Sequence, residues 1–149
     1  MNRALFITFL IIFILSGCNH HEKIDIKSPS YMFSENSEIA SEVKVSLNGI
    51  FNKNENTFEG SLSINDSTFE KVIFMHKSLL ITYEGAKRTV LGDIYFDKQA
   101  NQFVIIITEP ELYMKLTNGK YQNETLVISA PASNLEEAKM IEEKLKALE

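Results

Sequence analysis

Tryptophan is absent from this 149-residue chain, cysteine occurs once, and proline and histidine occur three times each. The missing tryptophan removes the commonest platform for stacking sugars or quaternary ammonium groups. A single cysteine excludes a disulfide framework, so the fold must stand on packing alone. Positive charge is short as well: 15 Lys and Arg stand against 20 Asp and Glu. A chain of that sign is not built to grip nucleic acid or anionic headgroups by electrostatics. There is no glycine-rich phosphate loop and no EF-hand spacing. What the chain does have is apolar residues, 44% of the total, with ten Phe and five Tyr. That is ample for one core.

The first of these apolar residues are concentrated at the start. Met1-Asn2-Arg3 carries one positive charge, and Ala4 to Leu15 is apolar apart from Thr8. The run is shorter than the ~17–25 residues needed to cross hydrocarbon. A charged start, a short apolar segment and small residues behind it are the marks of a secretory signal. Here the small residues run into a cysteine, and Leu15-Ser16-Gly17-Cys18 resembles the lipobox of bacterial lipoproteins. The resemblance covers residues 1–18. It implies that Leu15, Ser16 and Gly17 are read by the processing enzymes and that Cys18 becomes the lipidated N-terminus, carrying a diacylglycerol anchor. Removing Arg3 with the signal leaves the rest more acidic than the full-length net charge of −5.

The chain then divides into residues 1–17 as signal peptide, 18–40 as lipidated cysteine and flexible tether, and 41–149 as one globular domain. The polar clusters Ser28-Pro29-Ser30 and Ser34 to Glu38 lack sustained periodicity, which reads as linker. Tyr31, Met32 and Phe33 interrupt it, either docking on the domain or resting at the membrane interface.

From residue 41 the period becomes two. Val43, Val45 and Leu47 alternate with polar residues, and Phe58, Gly60, Leu62 and Ile64 share one face of the next segment. Asn52 to Asn56, Asn65-Asp66 and Glu84-Gly85 read as turns between strands. Val104-Ile105-Ile106-Ile107 suggests a strand buried on both faces. Thr108, Pro110 and Glu111 give helix-start chemistry, Leu112 and Leu116 are four apart, and Asn118-Gly119 suits a C-cap. A hairpin is the rival over 109–117, and the caps favour the helix. Ser133 and Glu136 have capping-box spacing ahead of a stripe at Leu135, Ala138, Ile141, Leu145 and Leu148. The expected fold is α+β. It is a mostly antiparallel meander sheet of six or seven strands, with a short helix before the last strand and a C-terminal helix packed on the sheet.

Residues that carry chemistry are few. His20-His21 with Glu22 beside the anchor make a poor preorganised metal site. His76 stands alone at the end of an apolar segment, with no motif that announces a nucleophile. Asp66, Asp93 and Asp97 fall where turns or strand ends call for Asx residues, although paired carboxylates are also the machinery of glycoside hydrolysis. Tyr83, Tyr95, Tyr113 and Tyr121 are the candidate stacking platforms. These observations favour a membrane-anchored, non-catalytic lipoprotein on the extracytoplasmic face of the cell membrane. Its job would be binding or envelope protection, with an envelope or surface protein as partner. No catalytic residue, cofactor, metal or nucleic acid is expected. The alternative is an envelope hydrolase using paired carboxylates or His76. Beyond the lipobox the chain also looks like small lipoproteins of low-GC Gram-positive bacteria, a likeness that transfers no residue role.

Overall fold

Ile24 and Ile26 point one way and Lys23, Asp25 and Lys27 the other, which is the period of a strand with one wet face. In the computed structural model, which describes residues 20–36, 38–75, 78–120 and 124–148, this stretch is β1, His21–Ser34. It is followed by β2 (Ala40–Asn52), β3 (Thr57–Ile64), β4 (Ser67–Met75), β5 (Ser78–Glu84), β6 (Lys87–Asp97), β7 (Gln102–Ile107) and β8 (Leu126–Ala130). A short helix α1, Pro110–Leu116, lies between β7 and β8, and α2, Leu135–Ala147, ends the chain.

Each strand pairs antiparallel with the next, and β1 pairs with β8 from Tyr31↔Ser129 to Ser34↔Leu126, so the sheet closes into an eight-stranded barrel. This corrects the open meander of six or seven strands. Residues 19–40, expected as a tether, contain the strand that closes the barrel. The inward row of β1 was hidden because it runs through Ser28 and Ser30 and past Pro29, and because one of its partners lies about a hundred residues away in sequence. Pro29 is tolerated because the β8 ladder begins only at Tyr31. On that same edge the Pro29 carbonyl accepts from the Ala132 N–H at 2.9 Å.

The inside of the barrel is packed with side chains. Phe58 stacks on Phe74 with ring centroids 4.7 Å apart, Phe74 meets Phe96 edge-on at 5.6 Å, and Phe96 meets Phe51 at 6.2 Å. Room for Phe58 comes from two glycines paired across β2 and β3, Gly49↔Gly60. A Cβ on Gly49 would lie 2.6 Å from the Gly60 Cα and 2.7 Å from the Phe58 ring. Gly92 has another reason: its φ is +151° at the irregular register between β5 and β6, and a Cβ there would strike the Ile106 carbonyl. The hairpin turns use left-handed Asn56, Asn65, Asn101 and Gly85, residue types that tolerate that conformation.

Leu112, Tyr113 and Leu116 of α1 join the interior core and stopper the mouth where β7 ends. A second core lies outside the wall, where Ala138, Ile141 and Leu145 of α2 pack on Phe33, Val104 and Val127. Apart from Ile50, the outer wall of β1 to β3 is polar: Lys23, Asp25, Lys27, Lys44, Glu59, Ser61 and Ser63 point outward. On these three strands the polarity, apolar inside and polar outside, is the inverse of that in a barrel that spans a membrane.

Candidate functional site

The mouth opposite α1 is formed by the start of β1 and the β2–β3 and β6–β7 turns. The inward row of β1 reaches this mouth at Glu22. Its Oε2 lies 2.6 Å from Lys98 Nζ and 3.3 Å from Lys53 Nζ, so one carboxylate ties the strand to both turns. Lys98 Nζ also sits 5.3 Å from the Phe51 ring centroid, a cation–π geometry. The His20 carbonyl accepts from the Lys53 N–H at 2.8 Å. Below these groups is a cavity of about 320 Å³, floored by Phe51 and Phe96 and rimmed by Lys53, Asn56, Asp97, Lys98 and Gln99.

The hydrogen bonds from Lys98 and then Lys53 hold the Glu22 carboxyl below its ordinary range. A carboxylate kept ionised in this way is poorly suited to move protons near neutrality. Its role is to brace the mouth. The two ammonium groups are already engaged, so an incoming anion would have to compete with Glu22.

A second concavity, about 830 Å³, runs along the outer wall of β1, β2 and β3, between the start of α2 and the Asn65-Asp66 turn. Lys27 and Lys44 alternate there with Glu42 and Asp66, and Ser46, Ser63 and Ser133 add hydroxyls. This is an open, polar surface of mixed sign. It can hydrogen-bond a polar partner over a broad area.

The chain matches no known family model, curated protein or solved structure. The reading of the site therefore rests on its own residues.

Leu15, Ser16, Gly17 and Cys18 lie outside the described residues, as do His76 and Tyr121. His20 and His21 are exposed at the mouth, where the carboxylate of Glu22 is taken by the two lysines. Among the described residues no group of three or more His, Cys, Asp and Glu is placed to hold a metal ion. The three aspartates do not converge. Asp97 stands at this mouth, accepting from the Gln99 and Ala100 N–H groups at 3.0 and 3.1 Å. Asp66 is in a turn at the other end of the barrel, and Asp93 faces outward between Leu79 and Ile106. The tyrosines are also dispersed: Tyr113 is in the core, Tyr95 under α2, and Tyr83 on the outer wall with Lys71 Nζ 5.9 Å from its ring centroid.

Sequence reasoning missed the Glu22–Lys53–Lys98 cluster. The available signal was the alternation Glu22, Ile24, Ile26, which puts a carboxylate on an inward row. It becomes informative only once residues 21–34 are read as a strand.

Proposed function

We propose that the chain is a lipid-anchored envelope lipoprotein whose barrel serves as a non-catalytic binding or protective module on the extracytoplasmic face of the membrane. The anchor is the acylated Cys18, and a surface component of the envelope is the partner. The observation that carries the module reading is the filled barrel: Phe58, Phe74, Phe96 and Phe103 are essentially inaccessible inside it. Barrels of eight strands can enclose one small ligand or be packed solid, and this interior is packed. Binding then belongs to the outside, where the groove along β1 to β3 offers hydrogen-bonding groups of both charge signs.

The anchor reading is supported by the Leu15-Ser16-Gly17-Cys18 order and by the largely polar outer wall of β1 to β3, which suits water rather than lipid. Two acyl chains bury many methylenes at about 0.8 kcal/mol each, which makes attachment stable where one chain is marginal. Cys18→Ala should move the protein from the membrane fraction to the medium, or leave it as uncut precursor. Cleavage after Gly17 with full retention in the membrane would refute the lipid anchor. Crosslinking on intact cells, followed by mapping of the linked peptides, tests the module: links should fall on β1 to β3 rather than at a buried cleft.

A further inference from the structure

The end of the barrel where β1 begins carries more than the brace at Glu22. Cys18 precedes His21, the first residue of β1, by three positions. Three extended residues span at most about 10 Å. An acyl group on Cys18 therefore cannot hold the barrel away from the bilayer. The rim from which β1 starts has to lie within about 10 Å of the anchored headgroup.

From His21 the register crosses successive strand ends: His21 pairs with Asn52, Asn52 with Thr57, and Thr57 with Met75. Met75 thus ends a strand on the same rim as His21, three strands round from it, and it is 51% exposed. Leu79, across the β4–β5 connection, is 46% exposed, and Ile50, two residues before the end of β2, is 52% exposed. Their strand neighbours Phe74, Leu80 and Phe51 are buried inside, so alternation turns all three outward. The opposite rim is stoppered by α1.

We propose that the rim bearing Met75, Leu79 and Ile50 is a membrane-seating surface, whose apolar side chains enter the interfacial layer of the bilayer that holds the Cys18 lipid. The proposal rests on the acylation reading above and deepens it by making lipid a partner of the barrel itself. A single lipid tether leaves a rigid body free to swing about its attachment point. Three outward apolar side chains are too few to bring a protein to a membrane from solution. With the tether supplying a high effective concentration, their partitioning becomes an intramolecular event. It then sets which way the barrel stands. Lys53 and Lys98 on this rim are held by Glu22, whereas Lys23 points outward opposite Ile50. The three apolar side chains set the seating, so salt should weaken it only in part. In that orientation the α1 end points away from the bilayer.

The absence of tryptophan makes the test direct, because an introduced indole reports alone. Full chains carrying Met75→Trp, Leu79→Trp or, as the opposite-rim control, Lys87→Trp would be matured in cells. They would then be purified and reconstituted in vesicles of phosphatidylethanolamine and phosphatidylglycerol, with and without brominated acyl chains. All three positions are exposed, and circular dichroism checks that each variant folds. The expected result is blue-shifted emission at positions 75 and 79, mostly lost on brominated lipid, and water-like unquenched emission at position 87. Unquenched emission at both 75 and 79 overturns the proposal, and a blue shift without quenching does so too, because protein rather than lipid then covers the rim. Quenching at 87 alone overturns it as well. The mass of the N-terminal peptide separates the two levels. An unacylated Cys18 removes the lipoprotein reading and the seating with it, whereas an acylated Cys18 with unquenched rim reporters removes the seating only.

Discussion

A chain that begins at Ser41 lacks β1, and the closed barrel predicts that such a chain does not fold cooperatively. Four apolar side chains of β1 are buried: Ile24 and Ile26 at 4% and 5% exposure, Met32 and Phe33 at 3% and 2%. At about 1.5–3 kcal/mol for each fully buried side chain, their loss removes roughly 6–12 kcal/mol. Whole domains are stable by only about 5–15 kcal/mol. The deletion also strips strand partners from β2 at twelve remaining positions and from β8 at four, leaving two open edges in place of none. Chains beginning at Asn19 and at Ser41 would be compared by circular dichroism during thermal and urea unfolding. The longer should give one sharp transition and the shorter a broad one or none. A graded variant, Phe33→Ala, removes a ring packed between the barrel wall and α2 and should cost about 3–5 kcal/mol. It should lower the urea midpoint with little change in slope. If the chain beginning at Ser41 melts cooperatively near the temperature of the longer one, β1 is dispensable and the argument from barrel closure fails.

Two further outcomes follow from local geometry. Gly49→Ala places a Cβ 2.3 Å from the Glu59 carbonyl oxygen and 2.6 Å from the Gly60 Cα. Both are backbone atoms, so the variant should lose about 1–3 kcal/mol or more, and a midpoint equal to that of the parent would show that β2 and β3 can separate freely. Glu22 has a lowered pKa in the folded barrel because Lys98 and Lys53 hydrogen-bond its charged form. Its contribution is therefore complete above the ordinary glutamate range and is lost as pH falls through the lowered value. Glu22→Gln should flatten that part of the acid limb when Tm is followed against pH, and parallel curves for variant and parent would count against the brace.

The sequence by itself determined the features that depend on near neighbours. Alternation at Val43, Val45 and Leu47 sets an inward row, because successive side chains in a strand must face opposite ways. Asn65-Asp66 and Glu84-Gly85 mark turns because Asn and Gly accept the left-handed backbone found at Asn65 and Gly85. The stripe Ala138, Ile141 and Leu145 on α2 was legible for the same reason, but the cap lies one residue beyond Ser133. Asn134 Oδ1 accepts from the Glu137 N–H at 2.9 Å, and Glu137 Oε2 accepts from the Ser133 N–H at 2.8 Å. Likewise α1 is capped by Glu109, whose carboxylate accepts from the Glu111 and Leu112 N–H groups, rather than by Thr108. Which of two adjacent polar residues caps a helix depends on how the preceding strand delivers the chain.

Only the tertiary structure decided that β1 exists as a barrel strand. Its small inward serines and its proline weaken the local pattern, and the ladder to β8 joins segments about a hundred residues apart. Loop closure over such distances leaves no periodic trace in the sequence. The same closure brings Glu22 to Lys53 and Lys98 from three separate hairpins, and it puts Met75 on the rim that starts three residues after Cys18. Local chemistry wrote the strands, turns and helices. Long-range pairing decided that the sheet has no edge and which residues stand together at its mouth.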